Sequence, residues 1–166
     1  MYKFISKLRS ELLVFLTHHM ALPFLRVLRR PPAFPYDGRT LSFMQKGSLG
    51  NDLYAFLKNK DLHLLPYYAK HDIKHVLLEY DTTGEGEVCL QCFMLGNRHI
   101  SFPVAATVIY GLLTMPEHWS KFKEAYKRGR SAPEIRNWKW FDIITEETAV
   151  LKKIINQNNN YETNMD

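Results

Sequence analysis

The chain has 166 residues, 46% hydrophobic and 23% charged, the make-up of an ordinary folded domain large enough to bury a core. Its formal net charge of +5 is matched by residues 1–30 alone, where Lys3, Lys7, Arg9, Arg26, Arg29 and Arg30 stand against Glu11, so the remaining body is neutral. That division argues against a nucleic-acid binder, which spreads its basic residues along a groove-facing element, and two cysteines are too few for a disulfide framework.

In chain order, residues 3–21 predict a helix, because Phe4, Ile5, Leu8, Leu12, Phe15 and Leu16 recur at helical spacing with Lys3, Lys7 and Glu11 between them. Pro23 ends or kinks it. Thr17, His18 and His19 interrupt the apolar run, which is therefore short for a membrane span, and no small-residue cleavage site follows it. Residues 1–30 read as a basic amphipathic region suited to an anionic membrane surface; a helix packed on the core is the competing expectation. Residues 31–46, with prolines at 31, 32 and 35 and Gly38, are expected to be a loop or linker.

The body over 47–155 reads as helices. Residues 48–58 take Ser48 as N-cap and bury Leu49, Leu53, Phe56 and Leu57. A helix over 67–80 buries Ile73, Val76, Leu77 and Tyr80, and another over 85–95 places Val88, Cys92 and Leu95 on one face. Residues 103–114 are apolar nearly all round, which predicts an interior helix. One from Pro116 to about Arg128 ends at Gly129 as a C-cap, and the last runs over 142–155. Residues 156–166 are polar and expected to be disordered. With no strand-like alternation, the fold class is all-α, a single-domain helical bundle.

Chemistry concentrates between Lys70 and Glu87. His71 and His75 are four residues apart, so on a helix both imidazoles leave one face and can reach one cation. Asp72 lies about 100° further round, and Glu87 opens the following helix. Two imidazoles and up to two carboxylates make a divalent-metal site. Two other arrangements compete. Cys89-Leu90-Gln91-Cys92 could ligate zinc, though on a core-facing helix its thiols serve as small apolar groups. The His71-Asp72 adjacency also fits an HD-type phosphohydrolase, which would draw on residues such as His63 and Asp142 and would leave Glu87 without a role. His18, His19, His63, His99 and His118 lack a carboxylate at ligand spacing and read as surface or interface residues.

His71-Asp72-x-x-His75, eleven residues, then Glu87, with Gly86 before it, resembles the motif of the ubiquinone (coenzyme Q) biosynthesis protein four family. Gly47-Ser48-Leu49-Gly50 with Tyr54 and Phe56-Leu57 is similar to that family's Gly-Ser-Leu-Gly segment, and Gly129, Trp138, Trp140 and Asp142 are loosely similar downstream. The resemblance covers about residues 41–155, and a shorter stretch before the His-Asp pair marks a divergent, short member. It implies a metal held by His71, Asp72, His75 and Glu87, which are also the catalytic candidates. Zinc is the first expectation, with iron, manganese or cobalt also suited to such ligands. It further implies oxidative decarboxylation of a polyprenylated ring precursor of a quinone, a cavity for the prenyl lipid, a homodimer, and association with other quinone-biosynthesis enzymes. The implied place is peripheral to the inner membrane, in the cytoplasm of a bacterium or on the matrix face in a mitochondrion. A non-catalytic prenyl-lipid scaffold is the alternative.

Overall fold

The structure, a computed structural model, describes residues 32–157; the basic segment over 1–30 and nearly all of the polar tail lie outside the described residues. Seven α-helices follow in order: α1 (Gly38–Ser42), α2 (Leu49–Asn59), α3 (Ala69–Leu78), α4 (Gly84–Gly96), α5 (Phe102–Thr114), α6 (Trp119–Ser131) and α7 (Thr148–Asn156), with a 3-10 turn at Pro116–His118. Apart from one isolated bridge between Ser48 and Glu147, the described residues hold no β-structure, and the fold is all-α. They divide into two compact units, one built from 32–79 together with 137–157 and the other from Tyr80–Arg136.

In the first unit, the stretch expected to be linker contains α1. Asp37 caps it, accepting from the Thr40 backbone N–H at 2.7 Å, and that bond holds the Asp37 carboxyl below its ordinary range. Upstream, Phe34 is buried edge-on to Phe141, ring centroids 5.0 Å apart, so this stretch is anchored. Ser48 caps α2 as expected, accepting from the Asn51 N–H at 3.3 Å, and Leu49, Leu53 and Leu57 are buried one turn apart. The backbone around α2 is clipped to the C-terminal strand of chain: Leu49 N–H donates to the Glu146 carbonyl and Gly50 N–H to the Ile144 carbonyl, both at 2.8 Å. Those carbonyls are thereby taken, and α7 begins at Thr148 rather than at the expected residue 142. α7 then buries Leu151 and Ile155 against α3.

The second unit is built on α4, which packs against α5 and α6. Val88, Cys89, Cys92, Val108, Met115, Phe122 and Ala125 form its core. Two expectations are corrected here. α6 does not stop at Gly129 but runs to Ser131, and Gly129 is there for closeness: a Cβ on it would lie 2.1 Å from the Phe93 carbonyl oxygen. α5 is not an interior helix. It buries only Val104, Val108 and Gly111, while Phe102 is 80% and Leu113 77% exposed, with Ile109 and Leu112 also out. A helix apolar all round gives no sign of which face its neighbours cover.

Beyond α4, Asn97 is buried and its side chain ties down the chain leaving α6. Its Nδ2 donates to the carbonyls of Gly129, Ala132 and Pro133 at 3.1, 3.3 and 2.9 Å, and its Oδ1 accepts from Ile135 N–H at 2.9 Å. No helix among the described residues is long and apolar enough to cross a membrane.

Candidate metal centre

Helix α3 sets the two histidines in the first unit. The four-residue spacing puts their rings one above the other, and aromatic neighbours hold them there. Tyr68 stacks on His71 at 4.5 Å between centroids, and Phe56 of α2 lies nearly parallel to His75 at 6.1 Å. His75 is buried and His71 half-buried. Their Nε2 atoms face one another at 2.9 Å. That separation suits a proton shared between two neutral imidazoles. It is also roughly what two nitrogens about 2.1 Å from one ion and at right angles about it would have. Asp72, one position on from His71, is buried on the adjoining face of α3. Glu79 closes the helix in the left-handed conformation (φ 61°), donating its N–H to the His75 carbonyl at 3.0 Å and pairing its carboxylate with Lys152 at 2.7 Å.

Glu87 belongs to the second unit, in the first turn of α4, where the helix dipole favours an anion. Thr83 caps that turn, accepting from Gly86 N–H at 3.1 Å. Gly86 is required by proximity, since a Cβ there would meet the Asp81 carbonyl oxygen at 2.0 Å. The backbone of the Asp81–Thr83 turn thus lies directly on the first turn of α4, and the Glu87 side chain is 3% exposed. A buried carboxylate is expensive unless it meets protons or a cation.

His71 and His75 in the first unit offer two imidazole nitrogens and Glu87 in the second a buried carboxylate oxygen, the donor types that could hold a metal ion; Asp72 is not among these donors. Two imidazole nitrogens and a carboxylate oxygen suit zinc or another first-row divalent ion. Cys89 and Cys92 are not in such a set. Both are buried in the second unit's core, and burial pushes their thiols up to about 12 and about 11, far from the thiolate that ligation or redox work needs. His63 and Asp142, the residues an HD-type site would draw on, are both exposed and join no donor set among the described residues.

Two clusters have no signal in residue spacing. In the second unit, Glu85 pairs with Lys121 at 2.6 Å and with His118 Nδ1 at 3.3 Å, which gives His118 a carboxylate partner it was expected to lack and raises the Lys121 ammonium. In the first unit, a groove of about 560 Å³ is lined chiefly by Tyr67, Lys70, Trp138, Lys139, Trp140 and Asp142. Lys70 and Lys74, the other i, i+4 pair of α3, each bring their Nζ to 5.7 Å from the centre of the Trp140 ring. Burial lowers the Lys70 ammonium, and burial followed by the like charge of Lys70 lowers Lys74 to about 8.

No protein-family model matches the chain, and no curated protein does. Among solved structures, the chain is similar to a protein from Nostoc punctiforme assigned provisionally to ubiquinone biosynthesis, with a TM-score of 0.64 at 21% identity. The match covers 90% of this chain and 82% of that one. At this level of identity the likeness is one of fold.

Proposed function

We propose that the chain is a ubiquinone-biosynthesis-like protein that holds one divalent metal ion through His71, His75 and Glu87, with Asp72 as a further ligand or orienting group, and acts on a polyprenylated ring precursor of a quinone at a membrane surface. The observation that carries the reading is the pair of Nε2 atoms meeting at 2.9 Å on a helix that also bears Asp72, within the spacing His71-Asp72-x-x-His75-x11-Glu87. The similar fold of the Nostoc punctiforme protein supports it.

The proposed reaction is oxidative decarboxylation of the ring: the ring–carboxyl bond breaks to release carbon dioxide, a hydroxyl from water takes its place, and dioxygen as co-substrate accepts the two electrons and two protons to leave as hydrogen peroxide. A divalent ion held by His71, His75 and Glu87 would supply Lewis-acid stabilisation of negative charge developing on the substrate. The chain's own residues do the rest. Tyr68 and Phe56, stacked on the histidines, hold both imidazoles to one aim. Glu87, buried at a helix N-terminus, is the carboxylate placed to hold or pass on a proton. The outward apolar residues of α5 favour one second reading, a lipid-binding scaffold that presents prenylated intermediates to other biosynthetic enzymes.

Metal analysis of the purified protein, with mass spectrometry of co-purifying lipid, tests the proposal. About one divalent ion per chain is expected, lost in the His71→Ala, His75→Ala variant, together with an isoprenoid lipid. Full metal occupancy in that variant would sink the assignment. Lipid retained with metal and turnover lost marks the enzyme, whereas a variant that keeps its function without metal marks the scaffold.

A further inference from the structure

The first unit also carries a groove on the lysine face of α3 rather than its histidine face. Trp138 and Trp140 stand at the groove with ring centroids 5.8 Å apart and planes inclined by 41°, giving it aromatic walls. Lys70 and Lys139 line it and Lys74 reaches the same indole from the next turn of α3, while Asp142 is the carboxylate at the rim. No carboxylate among the described residues pairs with Lys70 or Lys74; what they face is the Trp140 ring, at the outer edge of cation–π range. Trp140 is 4% exposed, and its Nε1–H has no hydrogen-bond acceptor among the described residues. Buried donors of this kind are ordinarily satisfied.

We infer that this groove binds a small planar organic anion, its ring on the half-buried Trp138 indole and its carboxylate or phosphate head at Lys70 and Lys74, which the buried Trp140 ring holds in place. Each part of the ligand answers something the protein leaves open. Lysine ammonium groups with no carboxylate partner among the described residues call for an acceptor-rich anion. The partly exposed Trp138 indole calls for a flat apolar body, which it holds by offset stacking. A volume of about 560 Å³ is that of a small-molecule site rather than of a macromolecular interface. The site needs none of the metal-binding residues and stands or falls separately from the metal.

Calorimetric titration of the full chain with phenyl phosphate and with benzoate tests this and distinguishes the two head groups; benzyl alcohol supplies the ring without charge and inorganic phosphate the charge without a ring. At least one of the two aryl anions is expected to bind saturably, with the neutral ring and the bare ion each at least tenfold weaker. In a Trp119→Phe background, which leaves Trp138 and Trp140 as the indoles, the same ligand should change the tryptophan fluorescence. Lys70→Ala, at an exposed position, should weaken binding about tenfold, and Lys74→Met, which keeps the buried stem, should do the same with the melting transition intact. Equal binding of benzyl alcohol, equal binding of inorganic phosphate, or wild-type affinity in Lys70→Ala would each overturn the inference. So would binding that disappears when metal is chelated, because the anion would then sit on the metal centre.

Discussion

Ile135 donates its backbone N–H to the side-chain oxygen of Asn97 at 2.9 Å, across 38 positions of sequence. Asn97 in turn donates to the carbonyls of Gly129, Ala132 and Pro133, so one buried amide fixes the path of the chain after α6. Asn97→Ala leaves those groups without their partner in a buried setting. A loss of about 2–4 kcal/mol is expected in chemical denaturation. A change below about 0.5 kcal/mol would mean that the segment holds its path without the amide.

Gly129→Ala sets two effects against each other. Alanine in a helix interior is favoured over glycine by about 1 kcal/mol, but its Cβ would stand 2.1 Å from the Phe93 carbonyl oxygen. Backbone cannot yield as a flexible side chain can, so the contact wins and α4 and α6 must part. The melting temperature should fall, by several degrees. A rise would show that helix propensity outweighs the clash.

The buried thiols carry an alkaline signature. Burial raises Cys89 to about 12 and Cys92 to about 11, from an ordinary 9.0. Between pH 9 and 11 the folded chain therefore holds thiol protons that the unfolded chain has released. The stabilisation is complete below pH 9 and is lost as pH rises through the folded values, at up to about 1.4 kcal/mol per pH unit for each thiol. Denaturation across this range should show the decline in the wild type and a smaller one in Cys89→Ala, Cys92→Ala. Alkylation of the native protein at pH 8 should be slow. Rapid modification without unfolding would place the thiols at the surface.

The charge division predicts membrane behaviour. Binding to vesicles containing anionic lipid should weaken as salt rises, and Lys3→Glu, Lys7→Glu and Arg9→Glu together should reduce it, each basic residue contributing roughly 1 kcal/mol near an anionic surface. Co-sedimentation measures it. Binding indifferent to salt, or none by the folded wild type, would reject the surface-seeking reading of residues 1–30.

How much of this was legible in the residues follows the range of the forces involved. Leu49, Leu53 and Leu57 recur one turn apart, and Ser48 precedes them; the helix and its cap could be read locally and are found, and of the expected buried face Leu49, Leu53 and Leu57 are buried while Phe56 is half-buried. His71 and His75 were legible for the same reason. What spacing could not supply were pairings between distant segments: Glu85 with His118 and Lys121, Asn97 with the chain after α6, and Lys70 and Lys74 with Trp140. The outward turn of α5 was hidden differently. Val104, Val108 and Gly111 face the core, but Phe102, Ile109 and Leu113 are as apolar as they are, so composition carried no contrast between faces.

The clip between Leu49 N–H and the Glu146 carbonyl bears on the order of events at the ribosome. Nearly a hundred residues separate the two, and at about 5–20 residues per second the acceptor emerges some 5–20 s after the donor. Throughout that interval Leu49, Leu53 and Leu57 have no Leu151 or Ile155 segment to complete their unit, while the whole of Tyr80–Arg136 is being made. Among the described residues, the unit that bears the histidines is begun before Tyr80–Arg136 and finished after it, and a nascent chain halted before residue 144 would present its leucine face to chaperones instead.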